Sequence, residues 1–389
     1  MKLSNRIITI DRTPLFFGND ALSSIDRFLR LTHHDMHGIT ESGLDDHSAN
    51  CGKEIFILVD PNTRKYCLPL LQEKSGFLAK AAVVEIEGGE NSKSLATAEK
   101  IWNRLLEAGA GRNSLLVNLG GGVVSDLGGF VAAGYKRGID YINIPTSLMG
   151  QADAAIGGKT AVNLGHIKNQ VGFFHAAKAV FIFPGFLKTL PREHLRSGLA
   201  EIIKSVLISD GALWRRLLKH PVEELLRQPA DSRLWLNLIS GTVKFKNRVV
   251  MNDYRERKLR KVLNFGHTVG HALEGFSIMR SGNPVLHGDA VAAGMVCAAY
   301  LSYKKAGLAL ADLETITTYL ADGFPAFPVD VLHKQAIMQL MMHDKKRHDG
   351  HLQFTLITKP GSPVINISCE AEEIMEALAS LTGWGTLSG

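Results

Sequence analysis

The sequence predicts an α/β domain followed by a mostly α-helical one. Short apolar runs alternate with helical patterns through the first half, and apolar residues at helical spacing dominate from about Leu190 onward. A glycine-rich turn near residue 120 joins a strand to a helix. The change of texture falls at "FPGFLKTLP" and divides the chain into residues 1–189 and 190–389.

"IFILVD" (residues 55–60) and "AAVVEIE" (81–87) read as strands. "SLATAEKIWNRLLEAG" carries apolar residues at helical spacing and stops at glycine. "SLLVNLGGG" is a strand running into a glycine turn, and "VSDLGGFVAAGY" the helix after it. "YINIP" and "AVFIFP" supply two more strands, so the first sheet is parallel. In the second half "PREHLRSGLAEIIKSVLI", "DGALWRRLLKH", "SRLWLNLISGTVKFKNRVV", "HTVGHALEGF" and "GDAVAAGMVCAAYLSYKKAG" read as helices, and only "LQFTLIT" as a strand. Residues 32–53 are polar and aperiodic. Their histidines His33, His34 and His37 lie on a surface loop in this reading, with no rigid element to fix a metal geometry.

With 45% hydrophobic and 21% charged residues, the 389-residue chain has an ordinary globular balance. The net charge of +6 comes from scattered Lys and Arg, which suits anionic small molecules and gives no nucleic-acid footprint. Cys51, Cys67, Cys297 and Cys369 lie far apart without a CxxC pair, which fits a reducing cytoplasm. The N-terminus lacks the apolar run of a signal peptide. "AVAAGMVCAAYL" is too short for a bilayer and reads as a buried helix containing Cys297, so no membrane association is expected.

Four motifs carry possible chemistry. "LGGGVVSDLGG" allows close backbone approach to a pyrophosphate at a helix N-terminus, or is merely a tight turn; Ser125 occupies the last glycine position of a GxGxxG count. "QADAAIGGKT" is not a P-loop, because Asp153 stands where GxxxxGK(S/T) needs glycine. It presents Lys159 on a Gly157–Gly158 turn, with Lys168 and Asn169 nine and ten residues on: a phosphate grip or solvated surface lysines. Glu201 and Lys204 share a helix face, either as a salt bridge over the core or as a metal ligand with a nearby lysine. His267 and His271 share another face, without the HExxH of a metalloprotease. A third ligand could come from His287 or Glu201. Asn264 and these histidines, close to Lys246, Arg260 and Lys261, are many polar groups for apolar helices, and each must be satisfied or serve a site.

Together the motifs resemble the dehydroquinate synthase family of sugar phosphate cyclases. The stretches are "NLGGGVVSDLGGFVAAGYKRG", "IPTSLMGQADAAIGGKTAVNLGHIKNQVG", "LKTLPREHLRSGLAEIIK", "LRKVLNFGHTVGHALE", "LHGDAVAAGM" and "DKKRHDGHLQFTLI", in the family's order. The resemblance implies a Rossmann-like NAD-binding domain, a helical metal- and substrate-binding domain, a site in the cleft and a homodimer. It implies a zinc or cobalt ion on Glu201, His267 and His287, with His271 in a phosphate grip alongside Lys159, Asn169, Asn264 and Lys346 of "DKK". Arg137 would reach the phosphate across the dimer. Asp153 and Lys204 would hold hydroxyls, and Lys246 and Arg260 the substrate carboxylate, with Glu256 nearby. NAD would meet Asp60, Asn62, Glu90, Lys93, Gly121, Gly122, Asp126, Thr146, Ser147 and Lys168.

The implied substrate resembles 3-deoxy-arabino-heptulosonate 7-phosphate. The implied course is transient oxidation by NAD, phosphate elimination, re-reduction and aldol closure. Asp289, Ala154, His194 and Lys258 depart from the usual family residues, and bear on the substrate more than on the fold. The alternatives are a cyclase for sedoheptulose 7-phosphate, a metal-dependent polyol dehydrogenase, or a binding protein that kept the fold.

Overall fold

The computed structural model describes residues 6–10, 13–34, 54–165, 167–229, 231–281, 285–327, 331–343, 347–348 and 351–383. The chain forms two compact units, Met1–Leu190 and Pro191–Gly389.

The first unit runs β1 (Arg6–Ile10), β2 (Thr13–Phe17), α1 (Ile25–His34), β3 (Ile55–Val59), α2 (Pro61–Tyr66), α3 (Leu68–Lys74) and β4 (Ala82–Glu85). It continues α4 (Leu95–Glu107), β5 (Leu115–Gly120), α5 (Gly122–Gly134), β6 (Asp140–Pro145), β7 (Lys159–Leu164), β8 (Ile167–Phe174) and β9 (Ala179–Ile182). Seven strands form one sheet in the order β1-β2-β9-β6-β5-β3-β4. All neighbours are parallel except the β1–β2 hairpin. β3 and β5 are buried at every position, as strands covered on both faces must be. Phe16 stacks on Phe181 at 4.6 Å, with Phe28 edge-on to both, which seals the β2–β9 side of the core.

Strand order reverses between β3 and β5, since the chain moves outward to β4 and then returns to the other side of β3. The crevice beyond the carboxyl ends of these two strands is where open α/β sheets place a ligand. Asp60 follows β3 there, and Gly121 and Gly122 follow β5.

Two sequence expectations change in this unit. The predicted loop begins late, because α1 runs through His33 to His34; His37 and Cys51 lie outside the described residues. Lys159 opens a two-stranded hairpin, β7–β8, instead of riding on an isolated turn. Gly157 at φ +100° and Gly158 at φ +66° make the entry to that hairpin.

The second unit contains α6 (Arg192–Ser209), α7 (Gly211–Leu217), α8 (Val222–Arg227), α9 (Arg233–Asn252), α10 (His267–Ser281), α11 (His287–Lys305), α12 (Leu310–Gly323) and α13 (Val331–His343). β10 (Arg347–His348), β11 (His351–Lys359), β12 (Ser362–Cys369) and α14 (Ala371–Ala379) follow. The single late strand of the sequence reading is the middle of a three-stranded antiparallel sheet. β12 was not read because its residues are mostly half-exposed and Pro363, near its start, reads as a strand breaker.

α6 is buried on all sides from residue 197 to 208, and α11 nearly so from 288 to 302. Glycines let these helices meet. A Cβ on Gly288 would stand 1.9 Å from the Ser197 carbonyl oxygen, and one on Gly294 would stand 2.0 Å from that of Gly266. Gly288→Ala is therefore expected to cost about 1–3 kcal/mol in urea unfolding. Gly241→Ala on α9, where a Cβ meets nothing within 4 Å, should be neutral or stabilising by comparison. No helix among the described residues is long and apolar enough to cross a membrane.

Candidate active site

In the first unit the glycine turn is forced by close neighbours. A Cβ on Gly121 would lie 3.1 Å from Ser147 Oγ, and one on Gly122 would lie 3.2 Å from the Ala154 side chain. The Thr146 amide donates to Gly120 O at 3.0 Å, and Ser147 Oγ accepts from Gly150 N at 3.1 Å. Residues 146–154 are thus held against the start of α5. Asp153 lies in a π-helical turn, Gly150–Ala154, in the same segment. The Asp60 Oδ1 caps α2 by accepting from Asn62 N and Thr63 N, each at 2.9 Å.

A polar network ties hairpin β7–β8 to residues 89–94. Lys93, only 4% exposed, donates to Asp126 Oδ2 and Asn169 Oδ1, each at 2.5 Å. Glu90 Oε1 receives Asn163 Nδ2 at 2.9 Å and pairs with Lys168 Nζ at 3.3 Å. Asn163 also accepts from Asn169 N at 3.0 Å. Five expected site residues, Glu90, Lys93, Asp126, Lys168 and Asn169, are gathered here. Asn163 is the link that sequence reasoning missed; its only signal was its place within "TAVNLGHIKNQ". Arg137 is elsewhere. It is exposed at the far end of α5, about 20 Å from Gly122 for a helix of this length.

In the second unit Glu201 and Lys204 of α6 pair at 2.5 Å, each 1% exposed. The salt bridge read from the sequence is therefore present, and the same carboxylate also faces two histidines. His267 Nε2 lies 3.4 Å and His287 Nε2 lies 3.3 Å from the same oxygen, Glu201 Oε1. No aligned hydrogen bond reaches either Glu201 oxygen among the described residues. Ligand atoms around a tetrahedral ion with bonds of about 2.0–2.2 Å stand about 3.3–3.6 Å apart, so the residues fit a divalent metal. The other ring nitrogens orient the imidazoles. His267 Nδ1–H donates to Phe265 O at 3.2 Å, and His287 Nδ1–H to Glu274 Oε2 at 3.1 Å. Glu274, 2% exposed on α10, carries no local pattern in the sequence that marks it as the partner of His287. His271 stands close by: ligand nitrogens of His267, His271 and His287 all lie within 4.8 Å of one another.

The "HGD" segment explains how His287 is aimed. Gly288 N donates to Ser197 Oγ at 3.0 Å, and Asp289 takes a bidentate pair from Arg196 at 3.0 and 2.8 Å. The shorter side chain of Asp289 reaches its arginine on α6, the helix that bears Glu201.

Burial pushes the Glu201 carboxyl up, but Lys204, His267 and His287 together outweigh it and hold it well below the usual range. Burial and Lys204 hold the His267 imidazole down, against the pull of Glu201. Burial also opposes charge on His287, yet Glu274 and Glu201 raise it to about 10. A raised histidine stabilises the metal-free protein fully below its ordinary value of 6.5, and the contribution is lost as pH rises through about 10. A metal ion held on His287 would have to take that proton's place. At pH 7, loading is expected to release about one proton per ion, measured by calorimetry in buffers of different ionisation enthalpy. No release would mean that His287 is neutral beforehand.

Lys246 on α9 and Arg260 are 6% and 2% exposed. Arg260 Nη1 donates to Tyr254 O at 2.6 Å, and Asn264 Nδ2 to Glu256 Oε1 at 2.7 Å. Among the described residues the non-glycine positions at positive φ are Lys136, Arg137, Asn169, Glu256 and Asn366. Three of these are expected site residues, and such backbone costs about 1–3 kcal/mol where the surroundings impose it. Lys346 lies outside the described residues.

The fold and these clusters define a class: an α/β unit with a glycine-turn crevice, followed by a helical unit with a histidine–carboxylate cluster that could hold a metal ion. Two family models, 3-dehydroquinate synthase N-terminal and 3-dehydroquinate synthase C-terminal, match residues 83–197 and 198–347. A 3-dehydroquinate synthase of Parabacteroides distasonis is 42% identical over 325 residues, 84% of this chain and 90% of that one. The chain belongs to the 3-dehydroquinate synthase family. Among solved structures, the 2-epi-5-epi-valiolone synthase ValA of Streptomyces hygroscopicus, with NAD+ and Zn2+ bound, is 28% identical with a TM-score of 0.73, covering 85% of this chain and 90% of that one. A 2-deoxy-scyllo-inosose synthase complexed with carbaglucose-6-phosphate, NAD+ and Co2+ shares the fold at 23% identity and a TM-score of 0.80, over 97% and 100% of the two chains.

Proposed function

We propose that the chain is a 3-dehydroquinate synthase, a carbon–oxygen lyase that converts 3-deoxy-arabino-heptulosonate 7-phosphate to 3-dehydroquinate and phosphate. The observation that carries the substrate reading lies in the second unit. A metal-type cluster and two buried cations, Lys246 and Arg260, belong to one helical unit, as a substrate bearing both hydroxyls and a carboxylate requires.

In this reading Glu201, His267 and His287 hold zinc or cobalt, and Glu274 and the Phe265 carbonyl keep the imidazoles turned toward it. The ion, when bound, lowers the pKa of a substrate hydroxyl. NAD, held in the first unit, would supply the hydride acceptor and donor for that carbinol. Asp60, Asn62, Gly121, Gly122, Thr146 and Ser147 line the NAD crevice, and Glu90, Lys93, Asp126 and Lys168 form its polar wall. Lys159, Asn169, Asn264, His271 and Lys346 bind the phosphate, joined by Arg137 from the second copy in a homodimer. Asp153 and Lys204 orient hydroxyls; Arg260 and Lys246 hold the carboxylate, with Glu256 fixing Asn264. The substrate's own phosphate takes the proton during elimination in this reading, which would explain a set rich in cations and poor in obvious bases. The many contacts hold one flexible substrate through several steps. A cytoplasmic setting suits Cys67, Cys297 and Cys369, which are buried free thiols.

The test is phosphate release by metal-loaded protein with NAD, offered 3-deoxy-arabino-heptulosonate 7-phosphate and sedoheptulose 7-phosphate in parallel. Release from the first alone, with dehydroquinate formed and no net NADH, is expected. Release from the second alone would overturn the substrate. Net NADH would point to a polyol dehydrogenase.

A further inference from the structure

We infer that Asp253 is a positioning residue that builds the anion-binding loop around Arg260. The inference rests on the proposed role of Arg260 toward the substrate carboxylate. Asp253 ends α9, its amide donating to Val249 O at 3.1 Å. Its carboxylate then gathers the next turn of chain. Oδ1 accepts from Arg257 N at 2.9 Å, and Oδ2 from Lys258 N at 2.7 Å and Arg260 N at 3.0 Å. Its carbonyl oxygen accepts from Glu256 N at 3.2 Å.

Two contacts that aim the loop lie within this fold-back. Glu256 sits at φ +55° inside it and accepts from Asn264. The Arg260 guanidinium is pinned to Tyr254 O, also inside it. The loop is cationic, with Arg255, Arg257 and Lys258 exposed and Arg260 buried. Such a run repels itself, and the Asp253 carboxylate, together with Glu256, offsets that repulsion. Three backbone N–H groups on one carboxylate also hold the Asp253 carboxyl below its ordinary range, against burial. The loop therefore exists before substrate arrives, and Asp253 governs substrate affinity through Arg260 instead of the bond-breaking steps.

The experiment uses full-length, metal-loaded protein with NAD. Hydrogen exchange of residues 253–264 is compared in wild type, Asp253→Asn and Asp253→Ala. Exchange there should rise at least about tenfold in Asp253→Ala, less in Asp253→Asn, with the rest of the chain unchanged. KM for the heptulosonate phosphate should rise about tenfold or more, with kcat within about threefold of wild type and metal content unchanged. In an Arg260→Lys background, Asp253→Ala should add less than about threefold, because both act through one guanidinium. Unchanged exchange, or effects that multiply independently, would overturn the assignment. If Asp253→Ala does not fold, Asp253→Asn carries both tests. A wild type that releases no phosphate would remove the proposed function, while the exchange comparison still decides whether Asp253 builds the loop.

Discussion

His287→Ala is expected to give a folded protein that retains no stoichiometric metal and turns over on the order of 10³-fold more slowly. The size follows from the several kcal/mol of charge stabilisation that a Lewis-acid ion supplies. Folding should survive because the His287 side chain is 29% exposed and begins α11, so its loss opens a gap to solvent instead of a core cavity. Two carboxylates, Glu201 and Glu274, lose their shared partner, which lowers stability without removing the helix contacts made by Gly288 and Asp289. Metal content by mass spectrometry and activity on the same sample are the measurements. A metal-replete, active variant would refute the ligand assignment and turn attention to His271, the third imidazole of the cluster.

Lys204→Met is expected to destabilise the metal-free protein by up to about 3–5 kcal/mol, the cost of taking its lysine from a buried carboxylate, which His287 offsets in part. Glu201 is 1% exposed and cannot turn to water. Its lowered carboxyl contributes stability that is present above its ordinary value of 4.5 and lost as pH falls through the lowered one. Removing Lys204 takes away the largest opposing charge, so the gap between variant and wild type should narrow in acid. Zinc should stabilise the variant more than wild type, because the ion replaces the missing cation. Urea unfolding followed by the fluorescence of Trp214 and Trp235, both buried in this unit, reads the effect. Equal destabilisation with and without zinc would mean that Lys204 acts by packing alone.

Both predictions concern residues that were visible in the sequence as polar groups inside apolar helices. "GLAEIIKSVLI" showed Glu201 and Lys204 on one face, and "GHTVGH" showed His267 and His271 on another, because helical spacing alone sets those neighbours. β3, β5 and α5 were equally legible, since a buried strand and a glycine turn are local patterns. The N-terminal hairpin β1–β2, hairpin β7–β8 and strand β12 were not read, because their apolar faces form only when distant segments supply the other side.

Roles that depend on long-range pairing were silent too. Glu274 became His287's partner only through the packing of α10 on α11. Asn163 joined Glu90 across 73 residues, and Asp289 met Arg196 across 93. Sequence by itself determined the two-part architecture, the family and the inventory of ligand-type side chains, because periodicity and motif order are properties of neighbouring residues. Tertiary structure alone decided that Glu201 Oε1 faces two imidazole nitrogens at 3.3 and 3.4 Å, which carboxylates orient the site, and how Asp253 folds the loop around Arg260. Those distances depend on how closely glycine-faced helices approach, and no local pattern in the chain encodes that separation.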